Sequence, residues 1–243
     1  MAAALQPLKF LTVAPLAKHT ATVIFVHGLG DSGHGWKPVA DMFAREPSLQ
    51  HVKWILPHAP TMPVTGNAGS QMPSWFDIYD FGSINGREDD DGMLKTAHAL
   101  NQLITAEVDA GIAADRVVLG GFSQGGAMSL LTGITSERRL AGLAVLSGWL
   151  PIRMKAKAMI SDRAKKLPIF WGHGKADPIV RFEVAQMSLE FLKKEMGINA
   201  VEPDAVLGGG IEFHAYDGLP HSTVPEELDA LQAFLQKTVP AQD

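Results

Sequence analysis

The sequence predicts an α/β protein with a mostly parallel central sheet covered by helices on both faces. Three observations predict it. Short apolar runs alternate with longer runs of helical period along the 243 residues, the pattern of strands linked by crossover helices. No internal repeat and no Pro/Gly/Ser-rich linker interrupts that alternation, which points to one domain over residues 1–243. A sharp Gly121-Phe122-Ser123-Gln124-Gly125 turn joins an apolar, β-branched run to a helix-like run.

In chain order, strands are expected at Thr22–Val26, Val52–Leu56, Arg116–Gly121, Gly142–Ser147, Pro168–Trp171 and Ile211–Tyr216, with Leu8–Val13 as an N-terminal edge strand. Helices are expected at Trp36–Arg45, Gly92–Ala110, Gln124–Gly133, Ile179–Met196 and Glu226–Gln236. Asp91 reads as an N-cap, Gly111 and Gly197 fall just past helix ends, and Pro225 stands at a helix start. The stretch from Pro57 to Asp91 breaks the alternation. It carries four prolines and the cluster Met72-Pro73-Ser74-Trp75-Phe76-Asp77-Ile78-Tyr79. Its large apolar residues argue against disorder. It reads equally well as a loop packed on the core or as an apolar, substrate-facing lid at about 57–91.

Composition excludes several classes. Net charge is −5 and no Lys/Arg run exceeds two residues, which argues against nucleic acid or an anionic surface as the main partner. The absence of cysteine removes disulfides, thiolate metal sites, cysteine nucleophiles, prenylation and palmitoylation. The longest charge-free apolar run, Leu140–Ile152, is too short to span a bilayer. Met1–Leu5 lacks a basic n-region and Lys9 interrupts the apolar stretch, so a signal peptide is not expected and a cytoplasmic location, extending to the nucleus, is.

The Ser123 turn points to chemistry. A serine hydroxyl is a poor nucleophile unless a base takes its proton. A tight strand-to-helix turn exposes Oγ, and flanking glycines leave room for the strained backbone. Such a nucleophile requires an acid and then a histidine at later strand ends, plus N–H donors for an oxyanion. Asp177 follows the strand Pro168–Trp171; the competing Asp162, Asp204 and Asp217 lack that placement. His221 follows the last strand. His214 also satisfies the chain order, but it lies within a strand and is read as pointing along the sheet. Leu29 N–H, in the glycine-rich loop His27–Gly33, and Gln124 N–H are the expected oxyanion donors. Gly28-x-Gly30-x-x-Gly33 also fits the dinucleotide fingerprint, but the next strand ends in Pro57-His58 with no acid for a ribose.

Six motifs lie in order along the chain: His27-Gly28-Leu29-Gly30-Asp31-Ser32-Gly33-His34-Gly35-Trp36, Pro73-Ser74-Trp75-Phe76-Asp77, Gly121-Phe122-Ser123-Gln124-Gly125-Gly126, Leu146-Ser147-Gly148-Trp149-Leu150-Pro151, His173-Gly174-x-x-Asp177-Pro178-x-Val180 and Gly218-x-x-His221-Ser222. Together they resemble the acyl-protein thioesterase / lysophospholipase family (carboxylesterase type 2). The resemblance implies an α/β-hydrolase fold without cofactor or metal. It implies hydrolysis of S-palmitoylated proteins, lysophospholipids and small esters, with a general short-chain carboxylesterase as the alternative. Carried over, it implies Ser123, Asp177 and His221 as the triad and Leu29 and Gln124 as oxyanion donors. It also implies an acyl channel near Trp75, Phe76, Trp149 and Ile179. The mechanism needs a neutral His221, so activity is expected to fall on acidification. Two departures stand out. The N-terminal cysteine that is acylated in some members is missing, so membrane contact should be transient or indirect. Pro203–Gly210 reads as a small insertion before the last strand. The apolar Met72, Trp75 and Phe76 could meet an acyl chain, a membrane surface or a second subunit in a weak homodimer.

Overall fold

A computed structural model describes residues 7–81 and 86–242; Met1–Leu5 and residues 82–85 of the irregular stretch lie outside the described residues. Seven strands form one sheet in the order β1-β3-β2-β6-β7-β8-β9. They are β1 (Phe10–Val13), β2 (Ala21–Val26), β3 (Val52–Pro57), β6 (Val117–Phe122), β7 (Gly142–Leu146), β8 (Pro168–Gly174) and β9 (Gly210–Tyr216). Only the β1–β3 pair is antiparallel; the other five pairings are parallel. The expected α/β class is the class observed.

The strands read as apolar runs because both faces are buried. Period-two alternation in β2 sends Ile24 and Val26 to one core and Val23 and Phe25 to the other. On one face, α1 (Gly33–Arg45) and α6 (Pro225–Thr238) pack Trp36, Phe43, Leu231 and Phe234 against the sheet. On the other, α2 (Asp90–Asp109), α3 (Gln124–Ile134), the short α4 (Arg153–Met159) and α5 (Phe182–Met196) supply Leu100, Met128, Leu131, Ala156 and Leu192. Every residue of α3 is buried.

Several boundaries differ from expectation, each for a local reason. The cap of α2 is Asp89, whose side chain accepts from Gly92 N–H at 3.0 Å, so the helix begins ahead of Asp91. The start of α5 moves from Ile179 to Phe182 because Ile179 and Val180 N–H both donate to the Asp177 carboxylate at 2.8 and 2.9 Å. The pairing of β8 with β9 continues through Gly174–Tyr216, three residues past the expected strand end. Pro203–Gly208 forms a 3₁₀ turn, and Gly209 and Gly210 at positive φ lead into β9. The irregular stretch also holds an unanticipated hairpin, β4 (Thr61–Val64) with β5 (Ser70–Pro73). Each of the two strands carries a proline, Pro63 in one and Pro73 in the other. A two-stranded edge hairpin tolerates them because each strand has an unpaired side. α4 was also not anticipated.

Candidate active site

Ser123 stands between β6 and α3 with φ 56° and ψ −120°, a conformation that costs an L-residue energy and survives only where its surroundings enforce it. Those surroundings are visible. Ser123 N–H donates to Leu146 O at 2.9 Å. A Cβ on Gly125 would sit 2.0 Å from Val26 O, so only glycine lets α3 approach β2 closely enough to close the turn. The β2–α1 loop meets the turn from the other side: a Cβ on Gly28 would lie 3.3 Å from Ser123 Cβ.

Asp177 follows β8 and is buried. Its Oδ2 accepts from His221 Nδ1–H at 2.7 Å, while Oδ1 takes the two N–H groups that delay α5. Burial alone would raise the Asp177 pKa. The His221 hydrogen bond and charge, with the Ile179 and Val180 N–H groups, outweigh it and hold the carboxyl below its ordinary range. The Asp204 and Asp217 side chains are almost fully exposed, and Asp217 pairs with Lys175 at 2.8 Å. His214 bonds Glu212 Oε1 at 2.7 Å on its own strand. With Nδ1 committed to Asp177, Nε2 is the basic nitrogen of His221. The His221 ring lies against Phe122, centroids 4.7 Å apart.

Sequence reasoning quoted His173 within the Asp177 motif but gave it no role. It is fully buried and its Nε2–H donates to Val180 O at 2.7 Å, bracing the loop that presents Asp177. Nε2 also lies 3.8 Å from Asp177 Oδ2. Burial pushes the His173 pKa down, so this is a neutral neighbour and not an ion pair. Its place beside the acid motif was the available signal.

A cleft of about 1340 Å³ opens over these groups. Ser123, His221, Leu29, Gln124, Phe76, Trp149 and Ile179 all border it. Phe76 and Trp149 meet edge-to-face at 6.0 Å, and Ile179 is more than half exposed at the mouth. Unforeseen lining comes from Met93, Ile152, Val184 and Met187, from helices and loops that the motifs do not mark, and from Leu150 within the Trp149 motif. Glu88 ties two walls together by accepting from Ile152 N–H at 2.9 Å; burial raises its pKa. Trp75 is the one expected channel residue that does not line the cleft. It is buried behind the wall with its indole N–H on His27 O at 2.8 Å.

A serine on a strained strand-to-helix turn, sharing one cleft with the histidine of an acid–histidine pair at later ends of a mostly parallel sheet, defines an α/β-hydrolase. The family model for Phospholipase/Carboxylesterase matches residues 9–239. The chain therefore belongs to the phospholipase/carboxylesterase family. It is 49% identical over 235 residues to acyl-protein thioesterase 1 of Cryptococcus neoformans, covering 96% of this chain and 98% of that one. It is 46% identical over 245 residues to acyl-protein thioesterase 1 of Mycosarcoma maydis, covering 97% and 99%. Among solved structures it resembles Zea mays acyl-protein thioesterase 2 with a TM-score of 0.80 and 31% identity, covering 95% of this chain and 99% of that one. Among the described residues no helix is long and apolar enough to cross a membrane.

Proposed function

We propose that this chain is a serine hydrolase that removes long-chain fatty acyl groups from S-acylated protein cysteines and also cleaves lysophospholipids and small esters. The observation that carries the reading is the cleft itself. The Ser123 turn and the His221–Asp177 pair open on a space with room for a long acyl chain, where an apolar wall of Phe76, Met93, Trp149, Ile152 and Val184 faces a charged stretch that includes Asp89, Asp90 and Asp91. The names of the relatives support the same substrate class.

In this reading His221 Nε2 takes the Ser123 proton as Oγ attacks the acyl carbonyl carbon. The carbonyl oxygen becomes an oxyanion held by Leu29 and Gln124 N–H. Gln124 opens α3, so its N–H has no intrahelical acceptor and is available to the cleft. The tetrahedral intermediate collapses, the C–S or C–O bond breaks, and His221 returns the proton to the leaving thiol or alcohol. Water, deprotonated by His221, then attacks the acyl-serine and releases the fatty acid. Asp177, held ionised, keeps the imidazole oriented and stabilises the imidazolium. We place this activity in the cytoplasm, where S-acylated cysteines of membrane-bound proteins are accessible.

The test is palmitate release from an S-palmitoylated peptide, run beside lysophosphatidylcholine and a graded series of p-nitrophenyl esters. Palmitate release is expected, with Ser123→Ala reducing kcat on the order of 10⁶-fold. A maximum at acetyl or butyryl esters without palmitate release would favour the short-chain carboxylesterase reading. Near-full activity in Ser123→Ala would remove the serine mechanism altogether.

A further inference from the structure

The Gln124 side chain does not face the cleft chemistry its backbone is assigned to. It is fully buried and stapled to residues 74–76. Its Oε1 accepts from Trp75 N–H at 3.1 Å, and its Nε2–H donates to Phe76 O at 3.0 Å and to Ser74 Oγ at 3.1 Å. Ser74 Oγ in turn donates to Phe76 O at 2.6 Å. Trp75 is held from the far side by the Thr96 hydroxyl on its carbonyl. Its indole N–H then reaches His27 O at 2.8 Å.

His27 completes the chain of contacts. Ala59 N–H donates to its Nε2 at 3.0 Å, so Nε2 carries no proton. The single ring proton is therefore on Nδ1, which donates to Gly28 O at 2.7 Å. Burial disfavours a second proton on this ring. The bond to Gly28 O has a geometric consequence. Gly28 C=O and Leu29 N–H belong to one planar trans peptide and point in opposite directions. A carbonyl drawn to the His27 ring turns the Leu29 N–H the other way. Gly30 N–H on Pro73 O at 2.8 Å pins the same loop to the end of β5.

We propose that the Gln124 carboxamide, acting through Trp75 and His27, sets the direction of the Leu29 N–H. One residue then supplies one oxyanion donor from its backbone and orients the other through its side chain. Gln124, Trp75 and His27 are positioning residues for the oxyanion, and the inference rests on the serine-hydrolase reading above. It also accounts for a buried tryptophan behind the cleft wall: the position uses the indole N–H, not the ring's apolar surface toward substrate.

The experiment compares Trp75→Phe, which removes the indole donor and keeps an aromatic ring, with His27→Leu and His27→Asn. The Asn amide N–H stands where Nδ1–H stood. Each variant is assayed for kcat and KM on p-nitrophenyl octanoate. Each is also assayed for affinity to an alkyl trifluoromethyl ketone, whose adduct with serine carries a tetrahedral oxyanion. Trp75→Phe is expected to lower kcat about 10-fold, less than the roughly 10²–10³-fold cost of losing an oxyanion donor outright, and His27→Leu about 100-fold, at the lower end of that cost. KM should stay within about twofold, and ketone affinity should fall in step with kcat. His27→Asn should recover most of the loss. The proposal is overturned if Trp75→Phe retains wild-type kcat, if ketone affinity holds while kcat falls, or if Asn is no better than Leu at position 27. Should His27→Leu fail to fold, Trp75→Phe decides alone. Ser123→Ala assayed in parallel tests the underlying reading separately, since full activity there would sink that reading and not merely this one.

Discussion

Glu227 lies in the first turn of α6, fully buried, with neither carboxyl oxygen hydrogen-bonded. It presses on the backbone of β8: a Cβ on Gly172 would sit 2.1 Å from its Oε1. Burial without a compensating partner disfavours the charge and pushes the Glu227 pKa from 4.5 up to about 8. The folded state therefore keeps its proton over a range where the unfolded chain loses it. A pKa raised by folding contributes stability that is fully present below the unfolded value and is lost as pH rises through the folded value. At about 1.4 kcal/mol per pH unit, this lift corresponds to roughly 5 kcal/mol in all, of which roughly 4 falls between pH 5 and pH 9. That is a large share of the ~5–15 kcal/mol that holds a domain folded. Glu227→Gln keeps the shape and removes the proton equilibrium. Urea unfolding of both proteins at unit steps from pH 5 to pH 9 gives a difference curve in which every other titrating group cancels. The variant should gain on the wild type steadily as pH rises, then level off above pH 8. A flat difference across that range would refute the reasoning, because it would mean that Glu227 titrates alike in the folded and unfolded chains.

Asp177→Asn keeps the side-chain shape but removes the charge that orients and stabilises the His221 imidazolium, so kcat on small esters should fall about 10³–10⁴-fold with the fold intact by circular dichroism. Gly125→Ala drives a Cβ to 2.0 Å from Val26 O, a backbone atom that cannot yield, so the variant should unfold well below the wild type in a thermal melt or fail to accumulate. Ile179→Asp, at the exposed mouth, should spare butyryl esters. It should lower kcat/KM for dodecanoyl esters about 10-fold, the equivalent of two lost methylene contacts at ~0.8 kcal/mol each.

What the residue order revealed and what it concealed separate along a physical line. The sheet was legible because parallel strands buried on both faces are mostly apolar, and β2, β6, β7 and β8 are, with Thr22 and His173 the polar exceptions. The placement of Ser123, Asp177 and His221 just past strand ends was legible because position after a strand is a constraint that acts over a few residues of chain. The hairpin β4–β5 was concealed because edge pairing relaxes the rule against proline that would otherwise locate it. Trp75 was misplaced for a deeper reason. A tryptophan beside a phenylalanine near a cleft is apolar surface to any sequence pattern, and nothing local distinguishes a ring that lines the cleft from one that donates a hydrogen bond behind it. The partners that decide the matter, His27 and Gln124, stand 48 and 49 residues away in the chain. The same holds for Gln124, whose proposed backbone role is read from its being the residue after the serine. The side-chain function follows from a fold that brings the Ser74–Phe76 segment against α3. A glutamine with no amide partners there would be a buried polar group costing about 1–3 kcal/mol. The chain satisfies it by routing residues 74–76 over the start of α3, and those bonds tie this segment to the turn that carries Ser123.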